Sequence, residues 1–403
     1  MAKIRKRAWT TASGERREAW QVDFVDQEGK RRHKQFDKKK DADAWLVKAR
    51  GQIATGTFTP ESTSATIGEA IDAWIQRGEA EQLEAGTLQQ YRQLAAHVRA
   101  LMPDSLKLAK LSTARVEQFR DDLLKAHSRP MARKILGALK SVLKDAKRRG
   151  LVAQHVAAET TIGANGRHRK RLEVGVDVPT PAEVRTLLEA AWAKARAMVA
   201  LAALAGLRAS ELRALRWPDL QLGAESIVTV AQRADRWSTI GSPKSQTSRR
   251  TVPLGETAAR ALKEWKLAQP PRTINENGKG RRIPRTLVFG TASDRPDMLG
   301  NLQRRLLSPL QERAGIVVPG LDDDGKLVLD EDGKPVLEAK YSWHSLRHYA
   351  ISAWLASGID PKTVQHWAGH STLMLTLDTY GHMIPRPDDH QRIAAAERAL
   401  LAT

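Results

Sequence analysis

Apolar residues recur along this chain with two periods, and the switches between them divide it. Trp20, Val22 and Phe24 alternate, as a half-buried strand requires. A turn at Gln27–Gly29 leads into a second strand, Lys30–Phe36, and a strand near Lys6–Ala12 completes a three-stranded sheet. The period then becomes helical, with Ala42, Trp45, Leu46, Ala49 and Ile53 on one face. Thr57–Ala65 carries Pro60, Ser62, Thr63 and Ser64 and reads as a linker. Four helices follow. Thr66 and Glu69 form a capping box ahead of Ile67, Ala70, Ile71, Trp74 and Ile75. Thr87–Leu101 presents Leu88, Tyr91, Leu94 and Val98, and Thr113–Ala126 presents Val116, Phe119 and Leu123. Met131–Arg149 buries Ile135, Leu136, Leu139, Val142 and Leu143 and ends at Gly150.

Ala157–Val178 is a second boundary, poor in apolar residues and crossed by the basic run Gly166–Arg171. Thr180, Pro181 and Glu183 then open a helix with a cap, a first-turn proline and a reciprocal carboxylate. Ala197–Ala205 is apolar all round and is predicted to be buried. Strands at Ser226–Gln232 and Arg250–Leu254, a helix over 256–266, a basic loop Thr273–Arg285, a short strand Leu287–Gly290 and a helix Met298–Ala314 come next. Two Asp-Gly turns, at Gly325 and Gly333, predict a small acidic β-meander. A calcium loop does not fit, because each glycine follows its acidic run too early. Three short helices close the pattern: one carrying Leu346, Ala350, Ala353 and Trp354 before Gly358; one opened by Asp360 and Pro361 and stopped at Gly369; and one capped by Ser371 or Thr372 that delivers Tyr380. A tail helix is expected over Gln391–Leu400. The predicted fold is multidomain α+β: a small N-terminal three-stranded β-sheet plus helix (1–58), a four-helix domain (66–157), and a mainly α domain with a small antiparallel sheet (178–403).

Charge narrows the partner. The 403 residues carry a formal net charge of +20, so polyanions are the expected partner class. An aromatic fraction of 5% argues against a stacking platform for single strands and favours duplex backbone binding. The strand Lys30–Phe36 exposes Arg31, Arg32 and Lys34, and a β-ribbon of that kind can enter a groove. Lys140, Lys144, Lys147 and Arg148 line one face of the fourth helix, and Arg169, Lys170 and Arg171 line the linker. For each set the bland alternative is a solvated basic face. The chain has no cysteine, which removes disulfides, thiolate metal sites and a cysteine nucleophile. No apolar run is long enough to span a bilayer. The basic N-terminus lacks the apolar segment of a signal peptide.

The chemistry concentrates between His344 and His382. His344 and Arg347 are three apart on one helix face; Gly369-His370 and then Tyr380 follow. A guanidinium forks onto two phosphate oxygens, imidazoles donate or accept protons at the same centre, and a phenol can be the nucleophile of a covalent intermediate. Upstream, Gly206-Leu-Arg208-Ala-Ser-Glu211-Leu runs on to Leu215-Arg-Trp217-Pro-Asp219. A glycine cap followed closely by Arg208 sets that guanidinium at a helix junction, and Glu211 either orients it or makes a structural ion pair.

Both boxes resemble those of the tyrosine recombinase (phage integrase) family. His344-x-x-Arg347, Gly369-His370 and Tyr380 fall on its second box, and the Arg208 segment on its first. One departure is Ala368, where relatives usually carry leucine. The resemblance implies that Arg208 and Arg347 clamp a scissile phosphate, that His370 donates to it, that His344 assists proton transfer and that Tyr380 attacks to give a 3′-phosphotyrosyl link. In the family a hairpin lysine in a Pro-Lys-(Thr/Ser) context protonates the leaving 5′ oxygen; Lys244 matches, with Arg249 and Arg250 as its nearest rivals. The N-terminal module is similar to an arm-binding domain and the four helices to a core-binding domain. Further implications are a homotetramer on double-stranded attachment sites, accessory DNA-bending or directionality proteins, no metal or other cofactor, and action in the bacterial cytoplasm or nucleoid.

Rival readings leave different marks. A zinc hydrolase would need glutamate after the first histidine of His344/His348 or His366/His370, where Ser345 and Trp367 stand. His348 and His366 are then expected to be packing or surface residues. A DNA-binding protein without catalysis predicts loss of Arg208, Arg347 or Tyr380, and all are present. A type IB topoisomerase shares the active-site chemistry but not the N-terminal β-module with its helical domain.

Overall fold

The computed structural model describes residues 2–56, 58, 60–61, 64–163, 171–243, 248–276, 279–322 and 325–384, with 393–394, 397–398 and 400–401 of the tail. Lys244, Arg169 and Lys170 lie outside these residues, as does most of the expected tail helix. The chain divides into two compact units, Met1–Arg167 and His168–Thr403.

The first unit has two hydrophobic clusters of its own. Strands Lys3–Thr10, Arg16–Val25 and Arg31–Phe36 pair antiparallel in chain order. The first strand runs over Lys3–Thr10 rather than Lys6–Ala12, and Gly14, at φ +80°, shapes the turn that follows it. Val22 and Phe24 face the helix Lys39–Ala54 and pack on Ala42, Leu46 and Ala49. Helices Ile67–Ala80, Ala85–Leu101, Thr113–Ala126 and Arg129–Arg148 enclose the second cluster. Both arms of the Thr66–Glu69 capping box are formed. Trp74 is buried, stacks on Tyr91 at 3.9 Å and donates from Nε1 to Ser141 Oγ at 3.0 Å. Glu61 joins the two parts of the unit, ion-paired to Lys34 at 2.8 Å and Lys110 at 2.6 Å.

The second unit is built around the helix Ala193–Ala203, which is buried almost all round because no polar face interrupts it. Helices Pro181–Ala190, Glu256–Ala268 and Trp343–Ala356 surround it. A small antiparallel sheet orders Leu220–Gln221, Ile227–Val230 and Arg250–Pro253. Two expectations need correcting. The basic segment 273–285 is not simply a loop but pairs Arg272–Glu276 with Lys279–Ile283. Leu287, Val288 and Phe289 are buried as expected but form a single bridge, Arg216 to Leu287, rather than a strand. The acidic insertion is a meander: Val317–Pro319 pairs with Leu337–Ala339, and Gly325 and Gly333 turn with φ near +78° and +75°. Among the described residues no helix is long and apolar enough to cross a membrane.

Candidate active site

Three helices and the small sheet bring the chemical residues of the second unit together. Ser342 caps Trp343–Ala356, accepting from the backbone N–H groups of His344 and Ser345 at 3.2 Å each. That helix carries His344, Arg347 and His348. Asp360 caps Pro361–Ala368, and Gly369 ends it in the left-handed region at φ +62°. Thr372 caps Leu373–Tyr380, so Tyr380 stands at a helix C-terminus.

The end of the helix Pro361–Ala368 organises the arginines. A helix leaves its last carbonyls without intrahelical partners. Here three guanidinium groups take them. Arg250 donates from Nε to the Trp367 carbonyl at 2.5 Å, Arg347 donates to the Ala368 carbonyl, and Arg208 donates from Nη2 to the Gly369 carbonyl at 3.0 Å. Cations at a helix C-terminus also meet the negative end of its dipole. Arg347 donates a second bond to the Gly206 carbonyl and is 1% exposed. Gly206 sits at φ +64°, and a Cβ there would come within 2.8 Å of the Trp354 ring, so a side chain would both strain and displace the turn that receives Arg347.

Glu211 ties the first box to the sheet. Its carboxylate accepts from the backbone and Nη1 of Arg208 at 2.8 and 2.9 Å, and from both terminal nitrogens of Arg250 at 2.9 and 2.8 Å. It therefore both orients Arg208 and forms a buried bidentate pair. Burial alone would raise its pKa; the Arg250 hydrogen bonds and the charges of Arg250, Arg208 and Arg347 outweigh this and hold it at about 2. Arg250, a rival to Lys244 on sequence grounds, is a structural partner. Its signal was present in the sequence: period-2 alternation puts it on the same inward face as Val252.

A family model described as "Phage integrase family" matches residues 178–385. The chain belongs to that family. It is a tyrosine site-specific recombinase, an enzyme that cleaves and rejoins DNA. Over 384 residues it is 23% identical to "Tyrosine recombinase XerC-like" of Caldanaerobacter subterraneus subsp. tengcongensis, covering 90% of each chain. It is 24% identical to "Prophage integrase IntR" of Escherichia coli, covering 81% of this chain and 78% of that one. In fold it matches the Tn1549 transposon integrase solved with a circular-intermediate DNA, with a TM-score of 0.60 at 16% identity over 83% of this chain and all of that one. It also matches the lambda integrase tetramer bound to a Holliday junction, with a TM-score of 0.54 at 16% identity over 95% and 96% of the two chains.

The recombinase keeps the His370 imidazole and the Tyr380 phenol uncharged at neutral pH. Burial, then the charges of Arg347, Arg208 and Arg250, push His370 down to about 3, and its Nδ1 is hydrogen-bonded to Thr376 Oγ1 at 2.9 Å. Its ring stacks on that of Tyr380, with centroids 6.2 Å apart and 12° between planes. Burial pushes the Tyr380 phenol up to about 12 against the pull of Arg347 and Arg208. Burial, opposed by Glu211 but aided by Arg208, lowers Arg347 to about 9. His344 is exposed at the rim, and desolvation of its ring, then the nearby arginines, lower its pKa. His348, expected as a packing or surface residue, instead shares a hydrogen bond between its Nδ1 and the Tyr380 hydroxyl, at 2.5 Å. No sequence signal pointed to this, since the two are 32 residues apart and meet only through packing of the helices. His366 is exposed. A cleft of about 370 Å³ opens among Arg208, Ser210, Gly369, His370 and Ser371.

The candidate DNA-contact residues divide by their surroundings. Arg32 is paired with the buried Asp26 at 2.5 Å, Lys34 with Glu61, and Arg148 with the buried Asp145 at 2.8 Å. Lys140 donates to the carbonyls of Ala158 and Thr160. Arg31, Lys144, Lys147 and Arg171 are exposed.

Proposed function

We propose that this recombinase cuts double-stranded DNA at attachment sites through a 3′-phosphotyrosyl intermediate, and so integrates or excises a phage or other mobile element. One observation carries the site assignment: Arg208 and Arg347 are bonded to the carbonyls of the Ala368–Gly369 turn that presents His370, and the His370 ring lies against Tyr380. Four residues from three segments thus gather around one turn, and two of them, Arg208 and His370, line the cleft.

In this reading Arg208 and Arg347 stabilise the charge on the scissile phosphate, and His370 adds a hydrogen bond, through fixed donors that need no reorganisation. Arg347 would spend its remaining N–H groups on the phosphate, its other two being held by carbonyls. Tyr380 attacks phosphorus; Lys244 protonates the leaving 5′ oxygen; His344 assists proton transfer. Glu211 holds Arg208 in place. The energy of the broken phosphodiester stays in the phosphotyrosine and is returned on rejoining.

The domain assignments belong to the same proposal: an arm-type DNA-binding module over 1–58, a core-binding helical domain over 66–157 and the catalytic domain over 178–403. Arg31, Lys144, Lys147 and Arg171, being exposed, are the better candidates for phosphate contact. The lambda integrase tetramer on a Holliday junction supports a homotetramer on DNA for this chain as well. Accessory bending or directionality proteins, and action in the bacterial cytoplasm, complete the reading.

Covalent capture tests it. Wild type and Tyr380→Phe are each mixed with fragmented host DNA and denatured, and DNA still attached to protein is sequenced. Wild type should retain one or a few loci, and Tyr380→Phe none while still shifting the same DNA in a native gel. Covalent retention by Tyr380→Phe would overturn the nucleophile assignment. Binding by wild type without a trapped strand, even on a nicked substrate, would favour a DNA-binding protein without catalysis.

A further inference from the structure

We propose that His348 is a catalytic residue, the group that takes the proton from Tyr380 as its oxygen attacks phosphorus and returns it on rejoining. The inference rests on the reading of Tyr380 as nucleophile.

Geometry comes first. Tyr380 is 3% exposed, so solvent has little access to its phenol. Among the described residues, the group hydrogen-bonded to its oxygen is Nδ1 of His348, at 2.5 Å. His370, the histidine of the Gly-His motif, has its own Nδ1 engaged by Thr376, and its ring meets Tyr380 by stacking rather than through the hydroxyl. His344 reaches His348 rather than Tyr380: their rings meet edge to face with centroids 4.4 Å apart. The spacing follows from the helix, since residues four apart lie on one face. The result is a file from Tyr380 through His348 to the exposed His344.

Charge is consistent with this role. The groups facing His348 are His344 and Arg347 on its own helix, Tyr380 and His370 from the segment after Gly369, and Asp177 from the segment before Thr180. Burial first, then His344 and Arg347, push His348 down to about 4 against the pull of Asp177. At neutral pH its ring is therefore uncharged. In the Nε2–H tautomer, Nδ1 offers a lone pair and the phenol donates to it. In the DNA-free protein the proton stays on Tyr380. Two changes then favour transfer: the phenolic oxygen loses its basicity as it bonds to phosphorus, and a phosphate anion beside Arg347 offsets the cation that depresses His348.

The step balances. The Tyr380 Oη–P bond forms as its O–H bond breaks, and the proton goes to Nδ1 of His348. The P–O5′ bond breaks, and the leaving oxygen takes a proton from the general acid. On rejoining, the 5′ hydroxyl attacks phosphorus and gives a proton to that acid's conjugate base. Tyr380 leaves and recovers its proton from His348.

Two measurements test the proposal. The first needs no DNA: nitrogen NMR of the histidines in wild type and Tyr380→Phe. His348 should be in the Nε2–H tautomer, with an Nδ1 signal that moves in Tyr380→Phe; an Nδ1–H tautomer would overturn the proposal. The second uses a duplex of a captured locus, nicked beside the cleaved phosphate so that the broken strand is lost. His348→Asn keeps a hydrogen-bonding atom near the Nδ1 position but cannot carry the proton. It should bind the duplex as wild type does and cleave it about 10²–10⁴-fold more slowly. Wild-type cleavage should slow as the pH falls towards 4 and His348 is protonated, that slowing should be absent in His348→Asn, and added imidazole should partly restore His348→Ala. Cleavage by His348→Asn within about threefold of wild type, with an unchanged pH profile, would show that His348 only packs against the nucleophile. Tyr380→Phe runs alongside: if it cleaves, the nucleophile reading falls, whereas if it is inactive and His348→Asn is normal, only this inference falls.

Discussion

Among single residues, the most consequential contact in the second unit is between Glu211 and Arg250. Both are buried, at 4% exposure each, and they are paired through two hydrogen bonds. Removing one partner strands the other's charge away from water. Arg250→Ala should therefore destabilise this unit by about 3–5 kcal/mol, seen as a lower denaturant midpoint. The same pair sets an acid limit. Glu211 is held at about 2 in the fold against a usual value of 4.5, so the unfolded chain binds its proton first as pH falls. The resulting stability, on the order of 3 kcal/mol, is fully present above about pH 4.5 and is lost as pH drops towards 2. Glu211→Gln should flatten that part of a melting-temperature profile while lowering stability at neutral pH. Glu211 itself was legible in the sequence as a partner of Arg208. Its second partner lay in an alternating strand pattern, where an arginine in line with Val252 and Leu254 is easily taken for a solvent-facing residue.

Among the elements, the basic strand Arg31–Phe36 shows why charge counted along a sequence overstates free charge in a fold. Arg32 is committed to Asp26, whose carboxylate also accepts from the backbone of Glu28 and Lys30. Arg31, next to it, is exposed. Arg31→Ala should weaken duplex binding and lower the slope of log affinity against log salt by about 1, with an unchanged melt. Arg32→Ala should instead lower the melting temperature of the N-terminal module, because it strands a hydrogen-bonded turn carboxylate. Binding at several salt concentrations and a thermal melt separate the two. Element positions themselves were largely readable: caps at Thr66, Thr180, Asp360 and Thr372 all form, because each depends on residues within one turn. The 273–285 pairing was missed although the sequence offers Asn277-Gly278 between the two strands, a strong hairpin signal; the flanking residues, basic and poor in apolar alternation, masked it.

For the whole molecule, the net charge of +20 predicts binding dominated by counterion release. Lys144 and Lys147 are exposed on the helix Arg129–Arg148 of the first unit, beside Arg148 and Arg149, which both pair with Asp145. A double Lys144→Ala/Lys147→Ala variant of the full chain should lower the salt slope by about 0.9 for each phosphate it no longer neutralises, while leaving the second unit's melt in place. An unchanged slope would mean that this face points away from DNA.

Partner class and family could be read from the chain before it folds, and so could the residues that make up the two boxes. Charge is additive along a chain, helix caps and periods are local, and the two boxes keep their residues at short fixed spacings. How those groups are held was settled by folding. The carbonyls of one helix end receive Arg250, Arg347 and Arg208, and a third histidine bonds to the Tyr380 hydroxyl. Each of these contacts joins segments far apart in the chain. Which donor meets which acceptor there is fixed by packing, and packing has no spacing that can be read from one dimension.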